Sequence, residues 1–171
     1  WNAAQTTAFG AIFVIALSLP FAWLWPKLDK RGINPSYPAK FAWGLVFCGL
    51  AFGILSWAAG NPGDTGLVSL WWMILAYFVL VLGEMVLSPI GLAAVTSLSI
   101  KRAVGLMMGA WFLFSAFGEI IAGRMGTWAS IEPNADGSFD VARSLQVYSS
   151  VFSDMMWIGL AAGVLMFVLT P

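Results

Sequence analysis

The sequence predicts an all-α membrane protein with five transmembrane helices. Three observations carry that prediction. Of the 171 residues, 60% are hydrophobic and only 9% charged, against about 25% charged in an ordinary soluble domain. The apolar residues gather into five continuous runs, each near or above the roughly 20 residues a helix needs to cross a bilayer. The basic residues fall mostly at alternate connections between those runs, as the positive-inside rule requires.

The runs are Ala8–Trp25, Phe41–Gly60, Leu67–Ala94, Val104–Gly123 and Tyr148–Leu169. Their length and continuity favour helices over strands. The third is the longest and would reach about 40 Å at 1.5 Å per residue, so it must tilt, bend or protrude. The first connection, Pro26–Lys40, is broken by Pro26, Gly32, Pro35 and Pro38. The second, Asn61–Gly66, reads as a tight turn, and the third, Ser97–Arg102, is short. The fourth, Gly126–Val147, holds the turn formers Pro133, Asn134, Asp136 and Gly137. No signal-peptide pattern precedes the first run, and a piece of a longer polypeptide is expected.

Charge sets the expected orientation. Lys27, Lys30, Arg31 and Lys40 lie in the first connection and Lys101 and Arg102 in the third, whereas Arg124 and Arg143 lie on the opposite side. The first and third connections are therefore expected in the cytoplasm, with the chain starting outside and ending inside. Trp23, Trp25, Trp71 and Trp72 are placed as interfacial anchors, and Asp154 near the outer end of the last run as a hydrated side chain. The pairs Gly49/Gly53, Gly105/Gly109 and Gly159/Gly163 have the spacing that lets membrane helices approach closely.

Composition also excludes. Net charge is zero with no basic stripe, which leaves nucleic-acid binding without an electrostatic footing. The chain has no histidine and one cysteine, Cys48. Histidine-ligated metal sites, Ser-His-Asp catalysis and an intrachain disulfide are thereby removed, and no nucleophile–base constellation remains. The expectation is a protein that is not an enzyme and has neither metal nor organic cofactor.

Glu84 carries the strongest chemical signal. It sits inside the third run, where an acid costs roughly 3 kcal/mol to insert and so normally faces a cavity or a partner. Ser88 and Gly91 follow at i+4 and i+7 on the same helical face. Pro89 cannot donate to the carbonyl of Met85 and should bend the helix. A carboxylate, a hydroxyl and a freed carbonyl on one stripe suit a cation or an amine; the alternative is an acid that pairs with a basic residue elsewhere and holds helices together. Glu119, in the fourth run, is expected roughly 15 Å from Glu84 in depth. It reads equally as a second protonation or gate site and as an interfacial residue reaching water. Trp111 is expected within about a turn of Glu84 in depth, on a face shared with Met108, Ser115 and Glu119.

Several segments resemble one family. Gly83-Glu-Met-Val-Leu-Ser-Pro-Ile-Gly-Leu92, then Lys101-Arg102, then Gly105-Leu-Met-Met-Gly-Ala-Trp-Phe-Leu113 closely resemble the tenth and eleventh helices of the proton-dependent oligopeptide transporter family, within the major facilitator superfamily. Leu19-Pro-Phe-Ala-Trp-Leu-Trp-Pro-Lys-Leu28 with Pro38-Ala-Lys-Phe41 resembles that family's eighth helix and the loop into the ninth. The resemblance implies the C-terminal part, helices eight to twelve, of a twelve-helix core. It implies that Glu84 meets the amino terminus of a short peptide, with Ser88 beside it and Trp111 lining the pocket. The implied coupling ion is a proton, and the implied partners are the peptide, the lipid bilayer and the transporter's own N-terminal half. The family's Gln-Ser-x-Asn-Pro pattern is replaced here by Gln5-Thr6-Thr7-Ala8-Phe9. Peptide contact from that helix then falls to Gln5 or Thr7, or the range of solutes shifts.

The functional expectation is proton-coupled symport of di- and tripeptides across the cell membrane, with this chain supplying one wall of the site. The rivals are transport of another solute on the same scaffold, and a structural subunit of a membrane complex.

Overall fold

A computed structural model describes residues 3–63, 66–131 and 139–170, excluding the side chains of residues 3–7. Gln5 and Thr7 as contact residues, the central part of the Asn61–Gly66 turn, and Pro133, Asn134, Asp136 and Gly137 thus lie outside the described residues. Five helices account for nearly all of the rest: α1 (Ala3–Lys30), α2 (Tyr37–Gly60), α3 (Leu70–Leu98), α4 (Val104–Trp128) and α5 (Val141–Val168). No strand occurs among the described residues, and all five helices are long and apolar enough to cross a membrane.

Each helix is longer than the apolar run that announces it, although α3 starts three residues after Leu67 and α5 ends one before Leu169. α1 continues through Pro26 to Lys30, so the first connection shrinks to residues 31–36, with Gly32 turning at a positive φ of 67°. α2 starts where Ser36 accepts a hydrogen bond from the Ala39 amide, with Pro38 in the first turn. α5 starts seven residues before its apolar run, because Asp140 caps it by accepting from the Arg143 amide at 3.2 Å. The fourth connection is correspondingly shorter than the sequence implies. α3 runs unbroken through Pro89.

Packing follows small residues. α2 lies between α3 and α5 and runs antiparallel to both. A side-chain carbon at Gly83 would lie 2.9 Å from both the Gly44 carbonyl and Cys48 Sγ, so nothing larger than hydrogen fits where α2 crosses α3. Gly49 and Gly159 bring the backbones of α2 and α5 equally close, and Gly163 meets Val46 and the Ala42 carbonyl. Two of the three glycine pairs thus serve the expected purpose. Gly105 and Gly109 face open space in this chain. A reciprocal clasp closes the far end: Ser56 Oγ donates to the Ser149 carbonyl at 2.8 Å, and Ser149 Oγ donates to the Ser56 carbonyl at 3.1 Å.

α3 is the centre of the remaining contacts. Phe13 of α1 meets Phe78 edge-on at 5.4 Å. At the opposite end Ser97 Oγ of α3 and Tyr37 Oη of α2 are 3.4 Å apart, which puts the first and third connections side by side. The six basic residues of those two connections therefore share one end of the bundle. Trp23 and Trp71 are exposed as membrane anchors should be, but their companions pack between helices. Trp72 meets Trp57 at 4.6 Å, and Trp25 covers the ammonium of Lys40 at 4.4 Å.

Candidate functional site

Glu84 lies at the middle of α3, on its exposed side. The preceding residue, Gly83, is buried against Cys48 and Gly44, so the helix turns Glu84 away from α2 as it presses Gly83 into it. Neither Glu84 nor Ser88 makes a hydrogen bond or ion pair among the described residues. Serines in helices commonly spend their hydroxyl on a carbonyl one turn back, as Ser115 does by donating to the Trp111 carbonyl at 3.0 Å. Ser88 makes no such bond. A carboxylate and an uncommitted hydroxyl thus stand one turn apart on one face of α3.

Trp111 is brought to that face two turns further along, rather than level with Glu84. Its indole lies against Gly91, where an added side-chain carbon would fall 2.6 Å from Cζ2 and still nearer the ring tip. Phe41 of α2 completes the contact, edge-to-face with Trp111 at 6.2 Å. The shift from the expected depth has a simple cause. Helical side chains lean toward their own N-terminus, and α4 runs antiparallel to α3, so the indole leans away from Glu84 and meets Gly91, seven residues or roughly 10 Å further along α3. The sequence reading missed Phe41 as a neighbour of Trp111. An aromatic at the start of the second turn of α2, one hairpin away from Gly91, was the available signal.

On the other side of Glu84 the same face of α3 lines an apolar hollow of about 670 Å³. Met73, Tyr77 and Leu80 form its α3 wall, Phe52 and Leu55 its α2 wall, and Tyr148 and Phe152 its α5 wall. The hollow ends one turn short of Glu84. Along one stripe of α3 the order is therefore apolar hollow, carboxylate, hydroxyl, then the Gly91–Trp111–Phe41 cluster. Glu119 is not part of this arrangement. It sits exposed on α4, two turns past Trp111, and makes no hydrogen bond or ion pair among the described residues. Those residues also hold no group of His, Cys, Asp and Glu side chains placed to bind a metal.

Comparison with known proteins places the chain. The sequence profile of the POT family (PTR2) matches residues 2–140. Dipeptide and tripeptide permease B of Aliivibrio fischeri (strain MJ11) is 36% identical over 173 residues, which is 99% of this chain and 34% of the permease. Dipeptide and tripeptide permease A of Pectobacterium carotovorum subsp. carotovorum (strain PC1) is 41% identical over 137 residues, 80% of this chain and 26% of the permease. The crystal structure of tetrameric PepTSo2 superposes over 100% of this chain and 32% of its own, with a TM-score of 0.76 and 28% identity. The chain thus spans about a third of the length of the proteins it matches. With a family profile covering most of its length and a five-helix fold shared with a solved peptide transporter, this chain belongs to the POT family.

Proposed function

We propose that this chain forms the C-terminal helices of a proton-coupled symporter of di- and tripeptides, and that Glu84 is the carboxylate wall of its central site. The observation that carries the proposal is the state of Glu84: an acid at mid-helix, on an open face, with no partner among the described residues. An acid that merely braced helices would be expected to have its counter-charge on a neighbouring helix. Here α1, α2 and α4 are all in contact with α3 and none supplies one among the described residues, so a bracing partner would have to come from the rest of the transporter.

The physics gives the group a task. In a low-dielectric cavity a carboxylate is a strong partner for an ammonium, and protonation removes most of that attraction. A peptide amino terminus and a proton then exclude each other at this carboxylate, so the co-transported proton must ride on a separate group while the peptide is bound to Glu84. Ser88 supplies an adjacent hydroxyl. The Trp111–Phe41 cluster supplies an aromatic surface two turns away, suited to a side chain of the solute. The missing two-thirds of the relatives' length would supply the groups that hold the carboxyl end. Alternating access of two helix bundles around this midplane site would move the solute inward. The orientation follows the charge count, with the first and third connections in the cytoplasm of a cell whose membrane the protein crosses several times.

Uptake of labelled dialanine into cells producing the full-length transporter tests this. Glu84→Gln is expected to lower uptake at least tenfold while leaving the amount of protein in the membrane unchanged. Wild-type uptake by that variant would end the proposal. The residues Gln5-Thr6-Thr7 stand where the family's amide pattern would be, so the same assay run against nitrate and modified peptides as competitors separates a peptide carrier from one of altered range.

A further inference from the structure

Lys40 is the one buried charged residue among the described residues, with 6% of it exposed. It is the fourth residue of α2. A cation there opposes the positive end of the helix dipole, and burying it is costly unless it is partnered. The positive-inside rule asks for charge at this end of the bundle, which the exposed Lys30 and Arg31 already provide. It does not ask for a buried one. Asp29, the one acid in residues 20–40, makes no ion pair with Lys40, and its Oδ1 accepts from Asn34 Nδ2 at 3.1 Å. The partners of Lys40 are aromatic faces. Its ammonium lies 4.4 Å from the centre of the Trp25 ring of α1 and 5.9 Å from that of Tyr37. Both contacts and the burial arise within this chain, and the rest of the transporter has little of this side chain left to touch.

The ring that covers Lys40 stands on the weakest part of α1. Pro20 and Pro26 lie inside the helix on either side of Trp25. Neither can donate a backbone hydrogen bond, so the carbonyls of Ala16 and Ala22 lose their helical donors, and such places are where helices kink. Nearer its start, α1 rests on α3 through Phe13 against Phe78 and Gly10 against Tyr77. Beyond Pro20, Lys40–Trp25 is the one polar or aromatic contact from α1 to another helix among the described residues. α2, by contrast, is fixed to α3 and α5 by glycines at backbone contact. We infer that Lys40 is a latch: through the face of Trp25 it fastens the last third of α1 to the close-packed α2, and Pro20 is the hinge about which that third swings when the latch opens. A cation on a ring suits a latch, because no fixed hydrogen-bond geometry has to break and the freed ammonium reaches water at the membrane surface. Its operation does not depend on what Glu84 binds.

The test measures the distance between spin labels at Lys30→Cys and Leu169→Cys, at the ends of α1 and α5. It uses the full-length transporter with its native cysteines, Cys48 included, replaced by serine, and reads distances by pulsed electron paramagnetic resonance. Lys40→Met keeps the length and apolar stem of the side chain and removes the ammonium. It is expected to raise the ratio of displaced to latched α1 at least about threefold, the effect of losing one cation–π contact. Trp25→Leu should do the same, and the two together no more than either alone. Lys40→Arg keeps a cation that stacks on the ring and should retain the wild-type distribution. An unchanged distribution in Lys40→Met would overturn the inference, as would additive effects of Lys40→Met and Trp25→Leu. So would a Lys40→Arg variant that behaves like Lys40→Met, because shape rather than charge would then hold the helix. Ring-fluorinated tryptophan at position 25 separates charge from packing with both residues in place. The displaced population should grow with each added fluorine as the ring face loses its negative potential, and no trend with fluorination would contradict the latch.

Discussion

At the scale of single residues, what surrounds Glu84 is set by what Gly83 and Gly91 lack. Gly83 lets α2 and α3 touch at the backbone, which turns Glu84 outward; Gly91 leaves the recess that Trp111 fills. Gly91→Ala would place a carbon inside van der Waals contact of the indole, and the ring cannot retreat without leaving Phe41. That variant is expected to lose about 1–3 kcal/mol of stability, the usual cost of overpacking. It should be read as a lower midpoint of thermal unfolding in detergent, with a larger loss of transport for peptides carrying bulky side chains than for dialanine. The acid itself was legible in the sequence, because charge in an apolar run needs no structure to be noticed. The position of Trp111 was not, since depth along a helix says nothing about which way a long side chain leans.

At the scale of helices, the existence of all five was plain from apolar runs, and the ends were not. Hydropathy marks where lipid begins, whereas a helix ends where its backbone finds caps, and Ser36 and Asp140 place those caps well outside the apolar stretch. Which glycines mattered was equally hidden. Gly49 and Gly159 join helices while Gly105 and Gly109 face open space, although the spacing of the pairs is identical. The Ser56–Ser149 clasp was invisible because its two halves lie 93 residues apart in sequence. Each hydroxyl donates to the other residue's backbone carbonyl, so Ser56→Ala and Ser149→Ala each remove one bond. Each is expected to cost about 0.6 kcal/mol, the average for hydrogen bonds between membrane helices, read as a lower unfolding free energy in detergent. No loss in either variant would show that α2 and α5 are held by their glycine contacts alone.

At the scale of the whole molecule, the chain is a row of α5, α2 and α3, with α1 and α4 both resting on α3. Its open stripe carries the acid, and its six clustered cations lie at one end. That polarity predicts a topology. In a Cys48→Ser background, a membrane-impermeant maleimide applied to intact cells should label Gly63→Cys and leave Ile33→Cys unlabelled, and permeabilisation should expose the latter. The reverse pattern would invert the orientation and the direction of transport argued from it. The central claim, that Glu84 receives the amino end of a peptide, is tested most directly by binding rather than uptake. Affinities of dialanine and N-acetyl-dialanine would be measured by calorimetry on the full-length transporter, with Glu84 intact and as Glu84→Gln. If the carboxylate pairs with the ammonium, the substitution weakens dialanine at least tenfold and leaves the acetylated peptide almost unchanged. An equal loss for both peptides, or none for either, would contradict the claim.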